Sequence, residues 1–331
     1  MGFSWYKRLV RPWLFRLPPE PAQKLAEFSL SIKPLWRFGN TRKITSHPAL
    51  STNIAGILIP NPIGLAAGFD KQCKYLPSLE RIGFGYLVGG TVTPERRPGN
   101  PKPRLLRYES ENSLINSLGF PSQGLHKIAQ RLRNLEERTV PLLISIAALD
   151  EEGFESCHSV LEPLVDAIEL NISSPNTLGL RVFQEPKRLK MLLDRINTTR
   201  KKPLFVKLPP YVDKEGEEQV KSLLNACISS GVSGVTAGNT VPKLEHRLAI
   251  GSGGLSGHAI FPQMLKILRE LRKEAGTSLV INACGGIFTG EDAWQALESG
   301  ANTVQLYTGM VYQGTGIVKN ICADLLNRYS A

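Results

Sequence analysis

LFVKLPPYVDKEGEEQVKSLLNACISSGVSGVTAGN (204–239) contains one complete structural unit, and the rest of the chain repeats it. It opens on LFVKL (204–208), an apolar run of strand length whose Phe and Val suit a pleated, buried position. Val220, Leu223, Leu224, Cys227 and Ile228 then fall at the i, i+3, i+4, i+7 and i+8 spacing of an amphipathic helix, and Gly231 is placed to end it. A second strand-like run, GVTAGN (234–239), follows at once. Strand, helix and strand in this order imply parallel pairing through a right-handed crossover.

Working outward, the same alternation supplies eight strand-like runs. They are IGLAAG (63–68), YLVGGTV (86–92), LLISIA (142–147), AIELNI (167–172), the two already quoted, LVINAC (279–284) and TVQLY (303–307). Between them lie further helical stripes: Leu189, Leu192, Leu193 and Ile196, and Leu265, Leu268 and Leu271 behind Pro262. Glu291 and Asp292 open another helix at the favourable end of its dipole, and Gly300 closes it. Eight such units predict an α/β fold, a closed (β/α)8 barrel of the TIM type, over residues 44–331. An open doubly wound sheet is the alternative architecture. One interval breaks the rhythm: roughly fifty residues, including PRLLRY and SLINSLGF, separate the second and third strands. An insertion of that size at a barrel mouth shapes the site.

The composition, 42 % apolar and 21 % charged over 331 residues, excludes wholesale disorder and a fibrous chain. Five scattered cysteines with no CxxC pair read as reduced thiols, and none of the five histidines forms an HxxxH pair, so no metal is expected. The net charge of +11 is concentrated at the start. Residues 1–43 carry nine basic side chains against Glu20 and Glu27, interleaved with three of the four tryptophans (Trp5, Trp13, Trp36) and with Phe, Tyr and Leu. Pro18-Pro19 and Pro21 split this extension into two helical pieces, about 3–17 and 21–31. No apolar run is long enough to span a bilayer, and the opening lacks the layout of a secretory signal. Basic, aromatic amphipathic helices of this kind favour a membrane surface; packing on the chain's own domain and nucleic-acid binding are the other two readings.

In such a barrel the site lies where strands end. Lys71 follows the first strand, Thr91 and Thr93 end the second, and Asn116 lies in the insertion. NISSPNT (171–177) follows the fourth strand, Lys207 ends the fifth, and Asn239-Thr240 end the sixth. Gly285-Gly286 and Tyr307-Thr308-Gly309 follow the seventh and eighth, with GGLSG (253–257) ahead of the Pro262 helix. Glycines at that rim let backbone N–H groups approach a phosphate. No GxGxxG opens a helix and no GxxxxGK[ST] occurs. Amide and hydroxyl groups (Asn116, Asn171, Ser174, Asn176, Asn239, Thr240) suit a flat ring with several polar atoms, and Lys71 suits a carboxylate. Ring substrate, phosphorylated cofactor and a cationic strand end point to flavin mononucleotide (FMN).

NPIGLAAGFDK, GTVTPERRPGNPKPRL, INSLGF, NISSPNTLGLR, GGLSG and VQLYTG together resemble the dihydroorotate dehydrogenases, specifically the membrane-associated, quinone-using class, from about residue 5 to 325. The resemblance implies oxidation of dihydroorotate to orotate with FMN and then ubiquinone or menaquinone. It implies Ser174 as the base at substrate C5, with Thr177 and Phe120 lining its proton route. Lys71, Asn116, Ser117, Leu118, Gly119, Phe120, Asn171, Asn176, Asn239 and Thr240 would hold substrate. Ala67, Gly68, Thr91, Ser145, Asn171, Lys207, Gly238, Gly257, Gly286, Tyr307 and Thr308 would contact FMN. Residues 1–39 would sit on the membrane and admit quinone, giving a monomer peripheral on the cytoplasmic face of a bacterial inner membrane, with no nucleic-acid partner.

Three departures thin the flavin's surroundings. The family's NxGKN reads SIAAL (145–149), so Ser145 and Ala148 replace Asn and Lys. Its NRxGF reads NSLGF, with Ser117 for Arg, and its TNTT reads GNTV, with Gly238 for a flavin-contacting Thr. A catalytically weak flavin- or membrane-binding relative, and an FMN barrel acting on another ring, are the rival readings.

Overall fold

The computed structural model describes residues 5–32, 36, 42–135, 137–173 and 179–330. Eight parallel strands close into a barrel: Ile63–Leu65, Tyr86–Val92, Leu142–Ile146, Ala167–Asn171, Leu204–Lys207, Gly234–Ala237, Val280–Cys284 and Thr303–Leu306. Each pairs with the next in sequence, and the eighth returns to the first through Gln305 opposite Gly64. These are the eight runs anticipated, and closure excludes the open sheet. Helices cover the outer face while side chains fill the inside, so both faces of each strand are buried and its sequence reads as a short continuous run.

The unit at 204–239 is built as its pattern dictates. Asp213 caps the helix Lys214–Ser229 by accepting from Gly216 N at 2.8 Å. Val220, Leu223, Leu224 and Cys227 are its buried face, and Gly231, at φ +63°, turns the chain into the next strand. Inside, the barrel is stratified. Tyr86, Val88, Leu143, Ala167 and Phe205 fill its lower part together with Ile54 and Ile59. The last two come from an antiparallel hairpin, Thr52–Ile54 and Ile57–Ile59, that closes the bottom. Two residues further along the same strands, on the same inward face, stand Ser145, Glu169 and Lys207. The middle of this barrel is therefore polar.

The insertion supplies Leu105–Tyr108 and Ser113–Asn116, which pair antiparallel. Ser252–Gly257 and Val241–Leu244 complete a four-stranded sheet over the mouth. GGLSG is thus part of a strand, and only its end reaches the site. Its glycines are required by packing: a Cβ on Gly254 would lie 2.0 Å from Thr240 Oγ1.

The extension forms a helical segment from Tyr6 to Arg16 and a helix Pro19–Ser31. The second starts two residues earlier than the sequence predicts, because the break falls at Pro18 (ψ 151°) and both Pro19 and Pro21 fit the first turn. Polar contacts tie these helices to the barrel. Tyr6 Oη donates to Val311 O at 2.7 Å, Arg107 Nη1 to Phe15 O at 3.0 Å, and Ser78 Oγ to Leu30 O at 2.7 Å. Lys102 pairs with Glu20 at 3.2 Å. No described helix is long and apolar enough to cross a membrane.

Candidate active site

The strand ends converge on one cleft at the C-terminal mouth of the barrel, with about 1170 Å³ of empty space including the part open to solvent. Ala67, Gly68, Lys71 and Thr91 line it from the first two strands, and Asn116, Leu118, Gly119 and Phe120 from the insertion. Asn171, Lys207, Asn239 and Thr240 line it from the fourth to sixth, and Gly257, Gly286, Tyr307 and Thr308 complete the rim. Segments up to 240 residues apart in the chain therefore present their polar groups to one space.

Each is held by local chemistry. Asp70, fully buried, accepts from Lys74 N at 2.9 Å and Tyr75 N at 2.6 Å and so shapes the turn that carries Lys71. Burial raises its pKa against those backbone donors and Arg131. Lys71 Nζ donates to Gly68 O. A hydrogen-bonded chain then crosses the cleft floor. Asn239 Nδ2 donates to Ser173 Oγ (2.7 Å), which donates to Asn171 Oδ1 (3.1 Å). Asn171 Nδ2 donates to Thr91 Oγ1 (3.0 Å), whose neighbour at 3.1 Å is Ser145 Oγ. Thr240 N donates to Asn239 Oδ1 at 2.7 Å and fixes that amide's far end. With the amides pinned this way, their remaining donors and acceptors are preorganised for a ligand.

Lys207 is 4 % exposed and its Nζ lies 3.7 Å from Cys284 Sγ. Burial opposes its charge, but the Cys284 sulfur, accepting from Nζ, and the Glu169 carboxylate outweigh burial, and its pKa lies above the usual lysine value. Burial pushes the Cys284 thiol up despite Lys207, so at neutral pH the sulfur is uncharged. All five cysteines are free, and the other four are buried.

The part of the rim formed after the seventh and eighth strands suits a phosphate. Gly286 turns at φ +75°, and a Cβ there would sit 2.7 Å from Phe261 N, so only glycine allows the close wall. Ser256 Oγ and Thr308 Oγ1 lie 2.8 Å apart beside it. The Thr308 and Gly309 amides precede the first hydrogen bond of the helix Thr308–Gln313, Met310 N to Tyr307 O at 3.0 Å. A buried cationic lysine, glycine-walled backbone amides with two hydroxyls, and pinned side-chain amides, all lining one cleft, form a donor set that fits FMN. Among the described residues no cluster of three or more His, Cys, Asp or Glu side chains could hold a metal.

Three expected residues are not at the surface of this cleft. Ser117 is fully buried, its O accepting from Asn100 Nδ2 at 2.9 Å, because the strand end turns its side chain inward. Ser145 is fully buried behind Thr91 and reaches the cleft only through that hydroxyl. Gly238 sits at φ +96°, and a Cβ there would lie 2.4 Å from Cys284 O, so this backbone demands glycine and offers no side chain. Ser174, Asn176 and Thr177 lie outside the described residues. Conversely, Ser173, Cys284 and Gln305 belong to the site or its floor without having been singled out. Ser173 was legible in principle, two residues beyond Asn171 and so on the same face. The short side chains Ala147 and Ala148 border a second hollow of about 610 Å³ behind Phe120, with Leu149, Glu95 and Arg97.

Comparison with known proteins gives a consistent answer. The family model for dihydroorotate dehydrogenase matches residues 49–329. The dihydroorotate dehydrogenase (quinone) of Halorhodospira halophila is 38 % identical over 334 residues, covering 94 % of this chain and 95 % of that protein. That of Methylococcus capsulatus is 37 % identical over 342 residues, covering 96 % and 97 %. The crystal structure of the Eimeria tenella enzyme in complex with ferulenol superposes with a TM-score of 0.85 at 28 % identity, covering 97 % of this chain and 95 % of that one. With a family match across most of its length and the same barrel in a solved relative, the chain belongs to the dihydroorotate dehydrogenase family.

Proposed function

We infer that this protein oxidises dihydroorotate to orotate and passes the electrons, by way of bound FMN, to a membrane quinone. The observation that carries this reading is the single cleft in which Lys71 and the pinned amides Asn116, Asn171 and Asn239 face a glycine-walled, hydroxyl-bearing rim. When bound, FMN supplies the acceptor for the hydride that leaves substrate C6. Lys71 pairs with the substrate carboxylate, a compact cation for a fixed anion. Asn116, Asn171, Asn239 and Thr240 hold the ring's imide and carbonyl groups, with Asn176 joining them from the loop. Ser174 receives the proton from C5, so that loss of one proton and one hydride leaves the C5–C6 double bond. Thr177 and Phe120 line the path by which that proton departs. Lys207 places positive charge where the reduced ring gains negative charge.

Dihydroorotate added to the purified protein without air is expected to bleach the flavin absorbance within seconds. No bleaching with substrate in excess sinks the reading in favour of a binding relative or another substrate. Ser145 held behind Thr91, Gly238 without a side chain and Ala148 facing the second hollow leave thin contacts that predict weak flavin retention. Extensive dialysis should therefore release a measurable fraction of the FMN, read from the absorbance ratio; full occupancy afterwards contradicts this.

The extension fits membrane contact. Trp5, Leu9 and Trp13 follow at i, i+4 and i+8, and Leu25, Phe28 and Ile32 at i, i+3 and i+7, all exposed. Beneath them Phe15 packs with Leu105, Leu114 and Tyr312, and Leu105 and Leu114 also line the cleft. This apolar passage is the route we assign to quinone. We place the protein as a monomer on the cytoplasmic face of a bacterial inner membrane, with residues 1–43 as the docking unit and 44–331 as the catalytic barrel.

A further inference from the structure

The interior of a barrel of this type is filled mostly by branched apolar side chains. Here a carboxylate stands in it. Glu169, in the middle of the fourth strand, is fully buried. Its Oε2 accepts from Thr236 Oγ1 at 2.7 Å, while Oε1 is buried with no hydrogen-bond partner. A buried, half-satisfied carboxylate is costly unless a positive charge lies near it. The positive charge is Lys207: Glu169 pairs in register with Phe205, Lys207 is two residues further on the same inward face, and Lys207 pairs with Thr236. The other titratable groups around Glu169 are neutral, since burial pushes up both the Tyr86 hydroxyl and the Cys284 thiol. Asn282, next to Thr236 on the opposite side, also has an unpartnered buried Nδ2. The carboxylate is thus the one negative group behind the lysine among the described residues of the barrel interior, and nothing in the assigned chemistry uses it.

We propose that Glu169 is a positioning residue for the flavin site: its carboxylate compensates the charge of Lys207 from behind and so sets how strongly that charge acts on a ring bound in the cleft. The inference rests on reading the cleft as the flavin site. Lys207 alone would stabilise negative charge on the reduced ring and hold electrons there. A counter-charge behind it weakens that hold and favours onward transfer to quinone.

The test is Glu169→Gln, which keeps the size and the acceptor for Thr236 but removes the charge. In the holoprotein, the flavin midpoint potential measured against a reference dye should rise, and orotate-free reduced flavin should reoxidise more slowly with quinone. A second readout needs no flavin. In the full-length chain stripped of FMN, with its fold checked by circular dichroism, Cys284 is the one cysteine open to the cleft. Removing the negative charge leaves Lys207 unopposed beside the thiol, so alkylation by iodoacetamide at pH 8 should quicken about three- to tenfold. Unchanged potential together with unchanged alkylation overturns the proposal. Faster alkylation with an unmoved potential supports compensation but shows that the flavin lies elsewhere, which separates the two failures. Should Glu169→Gln not fold, Thr236→Val, which removes the hydroxyl holding the carboxylate, should move both readouts in the same direction by less; no movement then counts as refutation.

Discussion

With Ser174→Ala, dihydroorotate added without air leaves the flavin almost fully oxidised on the timescale in which the parent protein is bleached. A positioned base contributes about 10²- to 10⁴-fold to a proton transfer, so the first-order rate of bleaching should fall by that order. A serine hydroxyl is a poor base by itself and needs its own proton carried off in the same step. The chain leading to Ser174 is built for that demand. Asn171 and Ser173 are both buried and joined to one another, Asn239 holds Ser173 from the sixth strand, and Thr91 holds Asn171 from the second. The loop therefore leaves the barrel from a fixed root. Substrate affinity should change little, because the groups we assign to gripping the ring are Lys71 and the amides rather than the hydroxyl. Orotate binding, read from the shift of the flavin spectrum, separates the two effects. A variant that reduces its flavin at the parent rate removes Ser174 from the mechanism, and one that no longer binds orotate makes it part of the clamp.

The parts of this fold that were legible are those where one residue pattern allows one packing. Strands buried on both faces must be short apolar runs, so Leu142–Ile146 or Leu204–Lys207 could be read directly, and the stripe Val220–Cys227 after the second of these admitted only a helix. Site residues at strand ends, such as Asn171 and Lys207, followed from where a barrel puts its loops. What was not legible depends on contacts between distant segments. GGLSG reads in the sequence as backbone approach to a phosphate rather than as a strand, because its glycines carry no strand preference; their reason lies in Thr240 and Ile115, against which a Cβ would collide. Gly238 looked like a lost contact, and only the carbonyl of Cys284 shows that the backbone there excludes anything else. Glu169 sat inside AIELNI as the one charged letter in a mostly apolar run, and its meaning needs Thr236, 67 residues later, and Lys207 on the neighbouring strand.

Removing residues 1–39 should separate the two half-reactions: bleaching by dihydroorotate persists, while liposome binding and quinone-driven turnover are lost. Trp5, Leu9, Trp13, Leu17, Leu25, Phe28 and Ile32 are exposed large apolar side chains on these helices. Burying one such side chain is worth about 1.5 to 3 kcal/mol, and about 1.4 kcal/mol is a factor of ten, so partition onto anionic vesicles should fall by more than about a hundredfold. Basic side chains on the same segments add attraction that salt weakens, which predicts that high salt reduces but does not abolish binding of the full chain. Substrate-driven bleaching is spared because Lys71, Asn116, Asn171 and Asn239 are carried by the barrel and its insertion. The price is local: Arg107 loses the Phe15 carbonyl, and Phe15 no longer covers Tyr312 and Leu105. That exposure opens the cleft on the side the extension covered, so a water-soluble acceptor should still oxidise the truncated protein as fast as the full chain or faster. Slow reoxidation by the soluble acceptor would mean that the extension supports the flavin site itself, and unchanged turnover with membrane quinone would mean that quinone enters elsewhere.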